Sequence, residues 1–173
     1  MKFQTMRMSS GTAYFSEDGV YRFKLTRSWD KERPQLLVVM LNPSTADAAV
    51  DDPTIRRVKR FADDAGYGGV MVMNLFALRS VDPAALWQRD SVGAPNDGML
   101  EVAIAEARRD EYPVLAAWGS SQHARRRAPE VLGLVSGVQW VCLGTTKDGS
   151  PRHPLYVPAS QRLVPWLPPE MLR

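Results

Sequence analysis

The chain has 173 residues, 45% hydrophobic and 24% charged, with a formal net charge of +3 and an isoelectric point near 9.2. This is the profile of one globular domain, 1-173, with a sizeable core; it requires neither a second domain nor disorder, and its mild basic excess permits an anionic partner without demanding one. The lone Cys142 rules out a disulfide framework, a Cys-rich zinc site or an iron–sulfur cluster held by this chain alone; with no apolar run near the roughly 18 to 20 residues of a membrane span and no signal-peptide core in Met1-Lys2-Phe3-Gln4-Thr5, a cytoplasmic protein without a membrane partner is expected.

Residues 12 to 27 alternate polar and apolar about Asp18-Gly19, which predicts a β-hairpin of Ala13-Tyr14-Phe15 and Tyr21-Arg22-Phe23-Lys24-Leu25. The apolar run 36 to 41 predicts a buried strand, and it delivers Asn42-Pro43-Ser44 at its carboxyl end. Asp52 then caps a helix that starts at Pro53, carries Ile55, Val58, Phe61, Ala62 and Ala65 on one face and stops at Gly66. A second apolar strand, 69 to 74, ends in Asn74. Asp82 before Pro83 signals a short helix, Ser91 to Asn96 is turn-rich, and a longer helix from about Asp97 turns Leu100, Ala103, Ile104 and Ala107 inward and ends on Arg108-Arg109. Strand 114 to 118 stops at Gly119, where Ser120-Ser121 can cap a helix running through Arg125-Arg126-Arg127 toward Leu134. Strand 138 to 143 holds Cys142 as a buried small hydrophobe. A Pro-punctuated loop and tail complete the chain.

Four apolar strands alternating with helices predict an α/β three-layer sandwich with a four-stranded parallel sheet, preceded by the N-terminal β-hairpin. Right-handed crossovers place every strand's carboxyl end on one edge, where open sheets bind ligands. That edge is expected to collect Asn42, Pro43 and Ser44; Asn74; Trp118, Gly119 and Ser120; and the loop 144 to 154 with Lys147 and His153.

Each candidate has a plainer role beside its chemical one. Asn42 before Pro43 also opens turns, and Asn74 also serves to bond local backbone. His153, held stiffly between Pro151 and Pro154, reads equally as a surface side chain; His123, near a helix start, is expected to be exposed. Arg125-Arg126-Arg127 reads as a solvated helix face that would meet phosphates at the edge of a cleft. Asp47, Asp51 and Asp52 make an acidic loop that could hold Mg²⁺ with substrate phosphates, although Asp52 has its cap to form and Arg56-Arg57 are close. Neither metal nor cofactor is expected.

The stretch Met40-Leu41-Asn42-Pro43-Ser44-Thr45-Ala46-Asp47, with Asp52-Pro53-Thr54, Arg56-Arg57, Asn74-Leu75-Phe76-Ala77-Leu78-Arg79, Ala117-Trp118-Gly119, Leu143 to Gly149 and His153-Pro154-Leu155-Tyr156, resembles a bacterial and phage family catalogued as a domain of unknown function. The resemblance covers roughly Ala13 to Tyr156. More distantly, the pattern is similar to mismatch-specific and single-strand-selective uracil-DNA glycosylases. In that superfamily a first strand ends in Gly-x-Asn-Pro, a second ends in an Asn that reads the base, and a late loop carries His-Pro. Here Met40 stands in place of the glycine, and Leu155-Tyr156 follow Pro154 where those enzymes carry a Ser and an apolar wedge.

The superfamily resemblance implies a four-stranded parallel sheet between helices and cleavage of an N-glycosidic bond, with Asn42 orienting water and His153 bonding the departing base. Asn74 would read the base edge, and Phe76 or Trp118 would stack on it. Arg79 and Lys147, with Pro43, Ser44, Gly119 and Ser120, complete the expected binding set. The implied partner is nucleic acid or a nucleoside or nucleotide. A binding module that keeps the pocket without the chemistry, or a metal-assisted phosphoesterase built on the acidic loop, are the alternatives.

Overall fold

An eight-stranded mixed sheet organises the residues that the computed structural model describes, 1–8, 11–44, 51–87 and 90–169. Its strands are β1 (Phe3–Met8), β2 (Gly11–Ser16), β3 (Arg22–Ser28), β4 (Gln35–Met40), β5 (Gly69–Asn74), β6 (Val114–Ala116), β7 (Trp140–Cys142) and β8 (Val164–Pro165). They lie in the order β1-β2-β3-β5-β4-β6-β7-β8. Three helices accompany them: α1 (Pro53–Asp64), α2 (Asn96–Arg109) and α3 (Gln122–Leu132). Short 3-10 turns occupy Pro83–Trp87 and Pro154–Tyr156.

The expected four-stranded sheet is thus only the inner part of a larger one. β4 pairs in parallel with β5 and β6, and β6 in parallel with β7. The hairpin is not a separate entry element: β3 pairs antiparallel with β5 and extends the sheet through β2 to β1. β1 carries no continuous apolar run and lies exposed at the edge, so its pattern gives no strand signal; Phe3 stacks on Tyr14 at 5.2 Å. In the tail, β8 adds a two-residue antiparallel strand to β7, anchored by Trp166, whose indole N–H donates to the Gly149 carbonyl at 3.0 Å.

β4 shows why the centre is buried on both faces. Leu36, Val38 and Met40 join Ile55, Val58, Phe61 and Ala62 of α1 in one core. Leu37 and Val39 point the other way, toward Leu100 and Ile104 of α2 and Ala124, Ala128 and Val131 of α3. The period-2 alternation of a strand divides one apolar run between two cores. α1 begins as expected, with the Asp52 carboxylate accepting from the Ile55 N–H at 2.8 Å. It ends in a Schellman turn: Tyr67 N–H reaches the Ala62 carbonyl and Gly66 N–H the Asp63 carbonyl, with Gly66 at φ +88°. The chain passes from β4 to β5 on one side and then crosses back to β6 on the other side of β4, so the strand order reverses at β4. The carboxyl ends of β4 and its neighbours form the crevice that such a reversal opens. Among the described residues, no helix is long and apolar enough to cross a membrane.

Candidate functional site

The parallel register sets Met40 opposite Asn74, so the residues that follow β4 leave the sheet level with the end of β5. The Asn42 amide nitrogen donates to the Ser80 carbonyl at 2.8 Å and to the Pro43 carbonyl at 3.1 Å. With both amide protons engaged, Oδ1 is the end left to accept. Ser80 N–H returns a bond to the Pro43 carbonyl at 3.1 Å, which locks the two loops together.

His153 reaches the same edge by a loop after β7 that runs out through an antiparallel bridge between Thr145 and Pro151. It then caps the 3-10 turn Pro154–Tyr156, its Nδ1 accepting from the Leu155 N–H at 3.3 Å. A neutral imidazole that accepts at Nδ1 carries its proton on Nε2, so the ring offers a donor. Burial lowers the His153 pKa below its ordinary 6.5, with Asp52 pulling the other way. The turn is held against α1 by Arg57, whose guanidinium donates to the carbonyls of Pro154, at 3.3 Å, and Val157.

These elements enclose a cavity of about 250 Å³ lined by Asn42, Ser44, Asn74 and His153 together with Arg22 and Asp52. Arg22, on β3, is 2% exposed, and its burial brings its pKa down to about 10 against the opposing pull of Asp52. Asn74 is 1% exposed, and its Nδ2 has no hydrogen-bond partner among the described residues. The end of β5 is fixed from behind: buried Asn96 donates to the carbonyls of Asn74 at 3.0 Å and Leu75 at 3.3 Å, and Arg127 Nε to Leu75 at 3.2 Å.

The other expected residues are dispersed. Trp118, Gly119 and Ser120 line an adjoining cavity of about 380 Å³ that shares His153 as its wall. Pro43 is buried beneath the Asn42 loop. Arg79 lies over the Phe15 ring at 5.2 Å and donates to the Gly19 carbonyl, in a groove that also includes Ser44. Lys147 is exposed on the Thr145 to Pro151 excursion. Phe76, beyond the end of β5, packs in the core on the α2 and α3 face and lines a different cavity. His123 is buried, not exposed, under the Trp87 indole, and Arg127 is not on a solvated face but paired with Asp97 and Glu130. Of the acidic loop, Asp47 lies outside the described residues. Asp51 is held by Arg27 and Lys59 at 2.7 and 2.8 Å, and Asp52 caps α1.

Arg22, Asp52 as a cleft residue, Arg57 and Asn96 were not legible as site residues in sequence. Arg22 sits in an alternating strand with nothing to mark its burial, and Arg57 acts on a segment 97 residues away. The signal available for Asp52 was its place in the acidic loop between the Asn42 strand and the first helix, where it reads only as a helix cap or a metal ligand.

A sequence family described as "Protein of unknown function (DUF1643)" matches residues 22–155. No curated protein and no solved structure matches the chain.

Proposed function

The chain belongs to the DUF1643 family, and we propose that its cleft binds a nucleobase, in nucleic acid or in a nucleoside, and hydrolyses the N-glycosidic bond that carries it. The observation that supports this reading is that Asn42, Asn74 and His153, from three distant segments, line one cavity. Asn42 Oδ1 orients the attacking water. As water adds to the anomeric carbon, the C–N bond breaks and its electron pair leaves with the base, which the Nε2–H of His153 stabilises by hydrogen bonding. An amide cannot take the proton that the water sheds; the Asp52 carboxylate in the same lining is the group able to accept it. Asn74, with donor and acceptor on one planar edge, reads the base.

The uracil-DNA glycosylase-like reading of the fold draws support from the parallel run β5-β4-β6-β7 flanked by helices on both faces. Leu155 and Tyr156 are exposed beside His153, which supports assigning them the part of the wedge that props nucleic acid open. The amide at position 42 favours one second reading, a module that recognises the base without cleaving it.

The test follows base release from uracil-containing and modified single- and double-stranded DNA and from free nucleosides, with chelator present. Slow release that survives the chelator is the expected result. Saturable binding without turnover across the panel establishes the recognition module instead, and turnover abolished by chelator restores the phosphoesterase reading.

A further inference from the structure

On the opposite face of the sheet, between the 3-10 turn Pro83–Trp87 and α3, lies a cavity of about 280 Å³ that the chemistry above does not use. We propose that it is a second binding site, for a small planar ring that carries an anionic group. Three observations converge there. His123 is only 8% exposed and lines the cavity, yet its Nδ1 has no hydrogen-bond partner among the described residues. Buried polar atoms are rarely left unpaired, so an unpaired one in a cavity wall marks a place for a ligand group. The Nδ1 atom is itself buried, so a ligand group pairs with it once a half-turn of the imidazole brings it to the cavity side.

Among the charged side chains that line the cavity, Arg126 and Arg127 outnumber Glu130 by one. Arg127 is matched by Asp97 and Glu130, whereas Arg126 has no carboxylate partner among the described residues, and its guanidinium lies over the Trp87 ring at 5.9 Å. The unpaired guanidinium of Arg126 favours an anion over a metal ion, despite the presence of His123 and Glu130. The remaining wall is aromatic and apolar. Trp87 is 51% exposed with its ring centroid 4.2 Å from that of His123, and Phe76, Leu86 and Val92 complete the surface. A large exposed indole beside an unmatched guanidinium suits a ligand that lays a flat ring on the apolar wall and directs its charge to Arg126. The enclosed volume suits one small molecule, not a polymer segment.

The experiment titrates the full chain with adenosine 5′-monophosphate, adenosine, benzoate and inorganic phosphate by calorimetry, with the Trp87 indole N–H followed by NMR. Adenosine 5′-monophosphate or benzoate is expected to saturate the site and shift the Trp87 signal, and a preference between them identifies the anion as phosphate or carboxylate. Arg126→Gln and Trp87→Ala, both at exposed positions, are each expected to weaken binding of benzoate, which carries no nucleobase for the Asn42 cleft, about tenfold or more. An equal shift of the Trp87 signal by adenosine, or by inorganic phosphate alone, overturns the proposal, as does the absence of saturable binding by any probe or benzoate binding that survives both variants.

Discussion

Asn42 and His153 have opposite polarity, Asn42 with an acceptor and His153 with a donor, in the lining of one cleft. Under the glycosylase reading, Asn42→Ala and His153→Ala are each expected to lower the base-release rate about 10²-fold or more while the fold persists, because each contact strengthens as charge develops. Circular dichroism of the variants separates the loss from unfolding. His153 also sets a pH dependence of stability. Its folded pKa lies below 6.5, so the unfolded chain binds the extra proton first, and stability falls as pH drops from 6.5 through the folded value. Denaturant titrations between pH 7.5 and pH 5 are expected to show this slope in the parent chain and its loss in His153→Ala. Asp51 acts in a separate, lower window: burial raises its pKa, but hydrogen bonds from Lys59 and Arg27 outweigh that and hold it below 3.8. Its contribution is present above 3.8 and is lost as pH falls through the depressed value. Asn42 was legible because an amide beside a proline after an apolar run stands out, and Asn74 because it closes the next such run. Arg22 was not, since only the neighbouring strands make it a buried cation in the cavity wall.

At the scale of elements, the cleft depends on how the turn Pro154–Tyr156 is held against α1. Arg57 supplies two charge-assisted bonds to its carbonyls across about one hundred residues of chain. Arg57→Ala is expected to speed hydrogen exchange of the Leu155 and Tyr156 amides about tenfold or more, with Arg57→Lys rescuing part of the protection. Unchanged exchange would show that packing alone positions His153. The capping of α3 is local and was readable in advance: Ser121 Oγ accepts from the Ala124 N–H at 3.2 Å. Ser121→Ala is expected to cost about 1 kcal/mol in denaturant unfolding. The short helix expected after Asp82 is instead a 3-10 turn, Pro83–Trp87, which nonetheless sets Trp87 over His123.

For the whole molecule, the two cores on either face of β4 carry the stability. Leu115, fully buried in β6, belongs to the core on the α1 face. Leu115→Ala is expected to cost about 2–5 kcal/mol, through lost transfer energy and the cavity left behind; a smaller loss would mean that the wall collapses readily. On the other face, Trp118, Trp140 and Trp166 pack edge to face, with centroids 5.5 to 6.4 Å apart, and close the sheet where β8 ends it. The sequence by itself determined the four apolar strands, the caps at Asp52 and Ser121, and the delivery of Asn42 and Asn74 to one sheet edge. Each of these rests on local periodicity or on hydrogen bonds between near neighbours in the chain. Only the tertiary structure decided that the hairpin joins the sheet through β3, that β1 and β8 extend it, and that His153 folds back beside Asn42. It likewise decided that Phe76 and His123 face the opposite side. Those outcomes depend on pairing and packing between distant segments, whose partners no local pattern of polar and apolar residues identifies.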